Sequence, residues 1–153
     1  MDRLDIKILN CLKENARENT SVISEKIGMS VSAVSERIKK LENAGVIKQY
    51  TTVLDNNKLG KDVTAVISIS LEHPKFNENF IKKVLDNRHI LECNYLAGDY
   101  DFMVKVCTTN TFTLQKVLND IKSIDGVSKT KTMVILSTIK CDYSVELKNI
   151  KLK

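Results

Sequence analysis

The spacing of apolar residues changes near residue 60, and this change limits the folds open to the chain. Before it, apolar residues recur every three or four positions, as on one side of a helix. After it, apolar and polar residues alternate, beginning with the stretch 63–71, as in strands with one buried face. The sequence therefore predicts a helical N-terminal part and a mixed α/β C-terminal part.

The spacing of apolar residues in the N-terminal part predicts three short helices. The first has one apolar side, formed by Leu4, Ile8, Leu9, Cys11 and Leu12. Thr20 or Ser21 is the predicted N-cap of the second helix, and Gly28 ends it, since glycine accepts the left-handed backbone that stops a helix. Ser30 is the predicted N-cap of the third helix, which Gly45 closes.

The second and third helices, joined by a three-residue turn with glycine at its start, form a predicted helix-turn-helix. The inward stripe of the third helix is Val31, Val34, Ile38 and Leu41. Its polar side is free to enter a major groove of double-stranded DNA, where short hydroxyl side chains allow close approach and lysines meet phosphates. The predicted DNA contacts are Ser30, Ser32, Ser35, Glu36, Arg37, Lys39 and Lys40, of which Arg37 lies beside the inward stripe.

Residues 46–53 follow as a predicted strand or wing, and residues 55–60 as a turn and hinge. Beyond them the order is strand, helix, strand, a tight glycine turn, then strand, helix, strand, which predicts a ferredoxin-like βαββαβ sandwich. Helices cover one face of such a sheet, so a second copy of the chain is the simplest cover for the other. The tail 141–153 is a candidate for one more strand.

These patterns divide the chain into a helix-turn-helix domain, a hinge, an effector-binding and oligomerisation domain, and a C-terminal strand or tail. The predicted bounds, in that order, are 1–54, 55–61, 62–140 and 141–153. The fold class is α+β, with a winged helix-turn-helix followed by a ferredoxin-like domain.

The charge of the chain alone does not predict DNA binding. The net charge is +5, but residues 1–60 hold ten Lys or Arg against eight Asp or Glu. This modest excess disfavours one alternative, an architectural DNA-binding protein with little sequence preference, because binding through the DNA backbone alone needs more cations. The second alternative, an amino-acid-metabolising enzyme, lacks any recognisable catalytic motif.

The sequence predicts no metal site, no cofactor and no membrane span. The four cysteines lie far apart without a CxxC pair, and the two histidines add no ligand cluster. No apolar run approaches the length of a membrane helix, and the N-terminus lacks the features of a secretory signal. We therefore expect a cytoplasmic protein.

Several motifs resemble the Lrp/AsnC, or "feast/famine", family of transcription regulators. They are Leu4-Asp5-x-x-Ile8-Leu9-x-x-Leu12 with Asn15-Ala16-Arg17, then Ser35-Glu36-Arg37-Ile38-x-x-Leu41-Glu42-x-x-Gly45-Val46-Ile47, and Gly98-Asp99-Tyr100-Asp101-Phe102. The resemblance runs from about Leu4 to Lys140 and implies homodimers joined through the sheet, which in many members assemble into octamers. It also places an arginine at position 37, either as a brace for the helix or as a phosphate contact; the sequence leaves both open.

The family resemblance implies a small-molecule effector, in many members an amino acid, bound at a junction between dimers. In this chain Gly98 tolerates a positive φ, and the amides that follow it suit a carboxylate, while Asp99 or Asp101 suits an ammonium group. The alternative is that Gly98–Asp101 only connects two strands. Carried over residue by residue, the predicted effector site is Gly98, Asp99, Tyr100, Asp101, Thr111, Met133, Val134 and Ile135.

Overall fold

The computed structural model describes residues 1–147 and divides the chain into two compact units. One comprises Met1–Val53 together with residues 140–147, and the other comprises Leu54–Ile139. The sequence placed residue 140 in the second domain and residues 141–153 in a separate tail, whereas residues 140–147 group with the first unit. Whether residues 55–61 act as a hinge stays a prediction.

The first unit contains three helices: α1 (Arg3–Glu14), α2 (Thr20–Ile27) and α3 (Val31–Asn43). Gly28 has the left-handed backbone predicted for it, with φ 72°. Ser30 is the N-cap of α3, and its hydroxyl accepts a hydrogen bond from the backbone N–H of Ala33. The N-cap predicted for α2, Thr20 or Ser21, was one or two residues late: Asn19 holds that position, without a side-chain hydrogen bond.

The core of this unit is small, with Ile8, Ile23 and Val34 fully buried where the three helices meet. The inward stripe of α3 is confirmed at Val34 and Leu41, which are buried, and at Ile38, which packs against the core. It is wrong at Val31, whose side chain is 46% exposed. Val31 is the first residue of α3 and leaves the helix only about 60° from Val34, at ~100° per residue, so its exposure follows from its place at the helix start and not from the spacing.

The wing segment, residues 46–53, forms no strand, so the strand predicted there is wrong. A strand needs a neighbouring strand to pair with, and in the first unit the described residues offer none. The Tyr50 hydroxyl instead donates a 2.9 Å hydrogen bond to Glu42 of α3. The predicted tail strand is also absent from residues 141–147, and its remainder, 148–153, lies outside the described residues.

The second unit has the predicted βαββαβ order. Its elements are β1 (Val63–Leu71), α4 (Asn77–Leu85), β2 (Ile90–Tyr95), β3 (Phe102–Thr108), α5 (Thr111–Lys122) and β4 (Val127–Ile135). The four strands are antiparallel in the order β2-β3-β1-β4. A short 3-10 helix at Asn57–Leu59 ends at Gly60, where the sequence predicts a turn. The strand β4 ends four residues before the predicted position 139.

Alternate residues of the central strands face the two helices and form the main core. In this core, Phe80 of α4 lies 4.7 Å from Phe102 of β3, ring centre to ring centre. The buried residues are Ala65, Ile67, Ile69, Phe80, Val84, Phe102, Val104, Val106, Leu114, Val117 and Ile121. The other face of the sheet is not covered by a helix and is mixed rather than simply apolar, since Val66 and Met133 pair side by side beside Lys105 and Lys131.

The turn before β4 depends on a glycine. Gly126 has φ 86°, and a Cβ at this position would collide with the ring of Phe76. Its carbonyl accepts a 2.8 Å hydrogen bond from the N–H of Glu72, just after β1. The turn therefore requires glycine both for its backbone and for the ring that lies against it.

Candidate DNA-binding face and effector residues

The N-terminal end of α3 presents a pair of hydroxyl groups. The Ser30 hydroxyl, which caps the helix, lies 3.1 Å from the hydroxyl of Ser32. Both side chains are exposed, as is that of Glu36, while Ser35 is half-buried on the side of the helix. The helix start thus carries small polar groups that leave the backbone open to close approach.

Lys39 and Lys40 extend the same polar side toward the end of α3. Both side chains are exposed. Among residues 1–147 neither lysine forms an ion pair with a carboxylate. Their charges are therefore available for phosphate groups.

Arg37 lies on the flank of α3, and one nitrogen of its guanidinium is paired with two carboxylates of the same unit. Its Nη1 donates to Asp2 Oδ2 at 2.8 Å and to Asp5 Oδ1 at 2.7 Å. The hydrogen bonds from the Asp5 and Asp2 carboxylates raise the pKa of the Arg37 guanidinium. The backbone N–H of Asp5 and the Arg37 guanidinium hold the pKa of Asp2 below its usual value. Both contacts join α3 to the start of α1, as a brace for the helix requires.

The hairpin between β2 and β3 leaves part of its polar backbone unused. The amides of Gly98, Asp99 and Tyr100 donate no hydrogen bond within residues 1–147. The Asp99 side chain is exposed, and the Tyr100 ring has the Lys129 ammonium 5.4 Å from its centre. Unused amides can donate hydrogen bonds to an anion, and an unpaired carboxylate can receive a cation.

Two expectations for this hairpin are wrong. The φ angle of Gly98 is not positive, so this glycine does not supply a left-handed backbone to the hairpin. The Asp101 carboxylate is not free: its Oδ2 accepts a 2.7 Å hydrogen bond from the N–H of Leu71 at the end of β1. The Asp101 N–H also donates to the carbonyl of Ile69, at 3.0 Å. Asp101 thus ties the hairpin to β1, a role that the sequence did not indicate because these residues are far apart along the chain.

The remaining predicted effector residues lie at the other end of the sheet. Val134 pairs with Ala65 and Thr111 follows the end of β3, whereas the hairpin lies beyond the pair of Ile69 and Phe102. Ala65 and Ile69 are four residues apart on β1, which corresponds to about 13 Å at ~3.3 Å per residue. Within one chain the structure therefore does not bring Thr111 and Met133–Ile135 together with Gly98–Asp101.

Two family models match the chain. The model described as "Winged helix-turn-helix DNA-binding" matches residues 1–48, and the "Lrp/AsnC ligand binding domain" matches residues 64–145. The chain belongs to the Lrp/AsnC family. It is a DNA-binding transcription regulator with a ligand-binding domain, and its family and relatives are regulators rather than enzymes.

Known relatives extend over nearly the whole chain. The HTH-type transcriptional regulator FL11 of Pyrococcus furiosus is 35% identical over 140 residues, 92% of each chain. Among solved structures, a transcriptional regulator of Neisseria meningitidis in complex with L-Met superposes with a TM-score of 0.91, at 30% identity over 97% of both chains. AsnC of E. coli superposes with a TM-score of 0.86, at 29% identity over 92% of this chain and 95% of that one.

Among residues 1–147 of this Lrp/AsnC regulator, no helix is both long enough and apolar enough to cross a membrane. No group of three or more His, Cys, Asp or Glu side chains in the same range is arranged to hold a metal ion.

Proposed function

We propose that this regulator binds specific double-stranded DNA sites in the cytoplasm, with α3 in the major groove and an amino acid as effector. The observation that carries the proposal is the exposed polar side of α3. There Lys39 and Lys40 have no acidic partner within residues 1–147, and the small hydroxyls of Ser30 and Ser32 lie at the helix start. The proposed DNA contacts are Ser30, Ser32, Ser35, Glu36, Lys39 and Lys40. Arg37 is left out of this set because both of its ion pairs are internal.

The proposed assembly is a homodimer formed through the uncovered face of the sheet, with the octamer as a higher assembly. Val66, Met103 and Met133 lie on that face, next to Lys105 and Lys131. A second copy would shield these apolar side chains from water. Two α3 helices related by a two-fold axis would then read the two halves of a pseudo-palindromic DNA site.

The proposed effector site uses the unused amides of Gly98, Asp99 and Tyr100 for a carboxylate and the free Asp99 side chain for an ammonium group. The Neisseria meningitidis relative in complex with L-Met supports an amino acid as the ligand class. Because Thr111 and Met133–Ile135 lie at the opposite end of the sheet, their part in the site would come from another copy of the chain. Each complete site would then be shared between copies.

DNA recognition is tested with a duplex selected by the protein in vitro from a random library, compared with a scrambled duplex at one salt concentration. We expect the selected duplex to bind at least about a thousandfold more tightly, the lower end for specific DNA-binding proteins. Equal affinity would overturn sequence-specific recognition and favour the architectural alternative. The Lys39→Ala variant should flatten the salt dependence by about one phosphate contact.

Effector binding is tested by calorimetric titration of the full chain with each of the twenty amino acids. A charge-assisted hydrogen bond contributes roughly 1.5–3 kcal/mol, so Asp99→Ala should weaken the bound amino acid about ten- to a hundredfold. Glu72→Ala is a matched control on an exposed carboxylate outside the proposed site. Asp101→Ala is unsuitable as the test because it also releases the hairpin from Leu71. Binding of none of the twenty, or equal binding by the Asp99 variant, would contradict this site.

A further inference from the structure

Arg37 and Lys39 lie on one helix but in different surroundings. They are two residues apart, so their side chains leave α3 about 160° from each other, given ~100° per residue. Lys39 is exposed on the proposed DNA side, while the Arg37 side chain is 28% exposed and paired with Asp2 and Asp5. These two side chains therefore leave α3 in nearly opposite directions, whereas Lys40, three residues from Arg37, leaves it only about 60° away and lines the same groove.

The carboxylates that receive Arg37 are themselves fixed by the start of α1. Asp2 Oδ1 accepts hydrogen bonds from the N–H groups of Leu4 and Asp5, at 2.8 and 2.9 Å. Asp5 Oδ2 accepts from the N–H of Asp2, at 2.7 Å. Each carboxylate uses one oxygen in this reciprocal cap and gives the other to Arg37. The acceptor pair is thus held in place by the backbone before Arg37 binds it.

Packing alone does not fix α3 at this point. A groove of about 490 Å³ opens between the start of α1 and α3, and Asp5 and Arg37 line it together with Met29, Ala33 and Leu41. Apolar side chains do not fill the groove, so the two ion pairs bridge the helices where close packing is missing.

We propose that Arg37 is a positioning residue for DNA reading: it holds α3 at a fixed angle to α1 through Asp2 and Asp5 and does not contact phosphate. This inference rests on the proposed reading of DNA by α3. The cluster of Arg37 with Asp2 and Asp5 carries a net charge of −1, which repels phosphate rather than attracting it. Its contribution to DNA affinity is therefore geometric.

The decisive variant is Asp2→Asn with Asp5→Asn in the full chain. Asparagine still caps a helix, so α1 keeps its start, but Arg37 loses both ionic partners. The change removes two negative charges and frees a guanidinium, so a phosphate-contacting Arg37 would bind DNA equally well or more tightly. A positioning Arg37 predicts the opposite sign: about tenfold weaker binding to the selected duplex, with an unchanged salt slope.

Two further variants isolate the charge effect and the coupling. Glu14→Gln with Glu25→Gln removes two exposed charges from α1 and α2, and should leave DNA affinity unchanged or slightly tighter. Adding Arg37→Gln to the double asparagine variant should cause no further loss, because the three side chains act as one unit. If the double asparagine variant does not fold by circular dichroism at the assay temperature, Asp5→Asn alone gives the same test.

The outcomes separate this inference from the proposal beneath it. Equal or tighter binding by the asparagine variants, or a salt slope reduced by about one in Arg37→Gln, would overturn the positioning role while α3 remains the DNA reader. An unchanged affinity and salt slope in Lys39→Ala would instead remove the proposed reader face, whatever Arg37 does. If DNA binding weakens in the asparagine variants, and the salt slope is flattened only in Lys39→Ala, the result supports both the positioning role of Arg37 and the reading of DNA by α3.

Discussion

The two units of this regulator are stabilised in different ways. The second unit has eleven buried residues in one core, formed by a four-stranded sheet and two helices. The first has three fully buried residues at the centre of its helices, and adds polar links at its helix starts: the Asp2–Asp5 cap, its bond to Arg37, and the Ser30 cap. Because the core of the DNA-reading unit is small, each contact contributes a larger fraction of that unit's free energy of unfolding. Single polar contacts therefore affect the stability of this unit more than that of the second unit.

The largest expected effect compares one substitution in both cores. Ile8→Ala and Ile69→Ala each remove a fully buried isoleucine, at a cost of about 2–5 kcal/mol. We expect Ile8→Ala to unfold the first unit, so that DNA binding is lost, whereas Ile69→Ala leaves the second unit folded. Thermal unfolding followed by circular dichroism, together with DNA binding, checks this. If both units stayed folded, or both unfolded, the proposed difference in stability between the two units would be contradicted.

A smaller effect compares two glycines with positive φ. Gly126→Ala in the second unit combines a left-handed backbone with a collision against Phe76, which should cost about 2–4 kcal/mol. Gly45→Ala in the first unit has φ 69° but no atom within 4 Å of the new Cβ, so only the backbone cost of about 1–2 kcal/mol applies. Urea unfolding measures both. A Gly45 variant that is destabilised as much as the Gly126 variant would show that the ring of Phe76 moves aside.

The smallest expected effect is a pH dependence confined to the first unit. The pKa of Asp2 is lowered in the folded chain, so this carboxylate stabilises the fold above its ordinary pKa, and that contribution is lost as pH falls through the lowered value. We expect α1 to lose stability on acidification below the ordinary aspartate range, and Asp2→Asn to reduce that loss. Amide exchange of α1 between pH 5 and pH 3 gives the measurement, in the approximate window where native carboxylates titrate. An identical acid response in wild type and variant would contradict the role of Asp2.

Local chemistry made most of the fold predictable from sequence. Gly28 and Ser30 mark the turn and the start of α3 because a left-handed backbone and a helix cap each favour particular residues. The alternation of apolar residues predicted β1 and its buried side. The prediction that Val31 faces the core was wrong because spacing alone does not show where the neighbouring helices end. The strand predicted at the wing was wrong because a strand depends on a pairing partner outside its own sequence.

The candidate sites depended more on tertiary structure. The exposed side of α3 followed from helical spacing, but the engagement of Arg37 required knowing that the start of α1 lies against α3. A signal was present in Asp2-x-x-Asp5, two acidic residues at capping positions. The opposite placement of Gly98–Asp101 and Met133–Ile135 was also within reach, since an antiparallel β4 beside β1 ends away from the hairpin that follows β2.

The separation of those two groups along the sheet has a consequence for assembly. In the proposed site a ligand would touch Gly98–Asp101 of one chain and Met133–Ile135 of another. A two-fold axis between the two chains would repeat this contact as a second, equal site, so that two ligands would bridge each such pair. The effector would thus act as a linker between chains, and its apparent affinity would rise with the concentration of the regulator itself. In such a system dilution of the protein alone would release the ligand. Occupancy of the site would then depend on the concentrations of both the effector and the regulator.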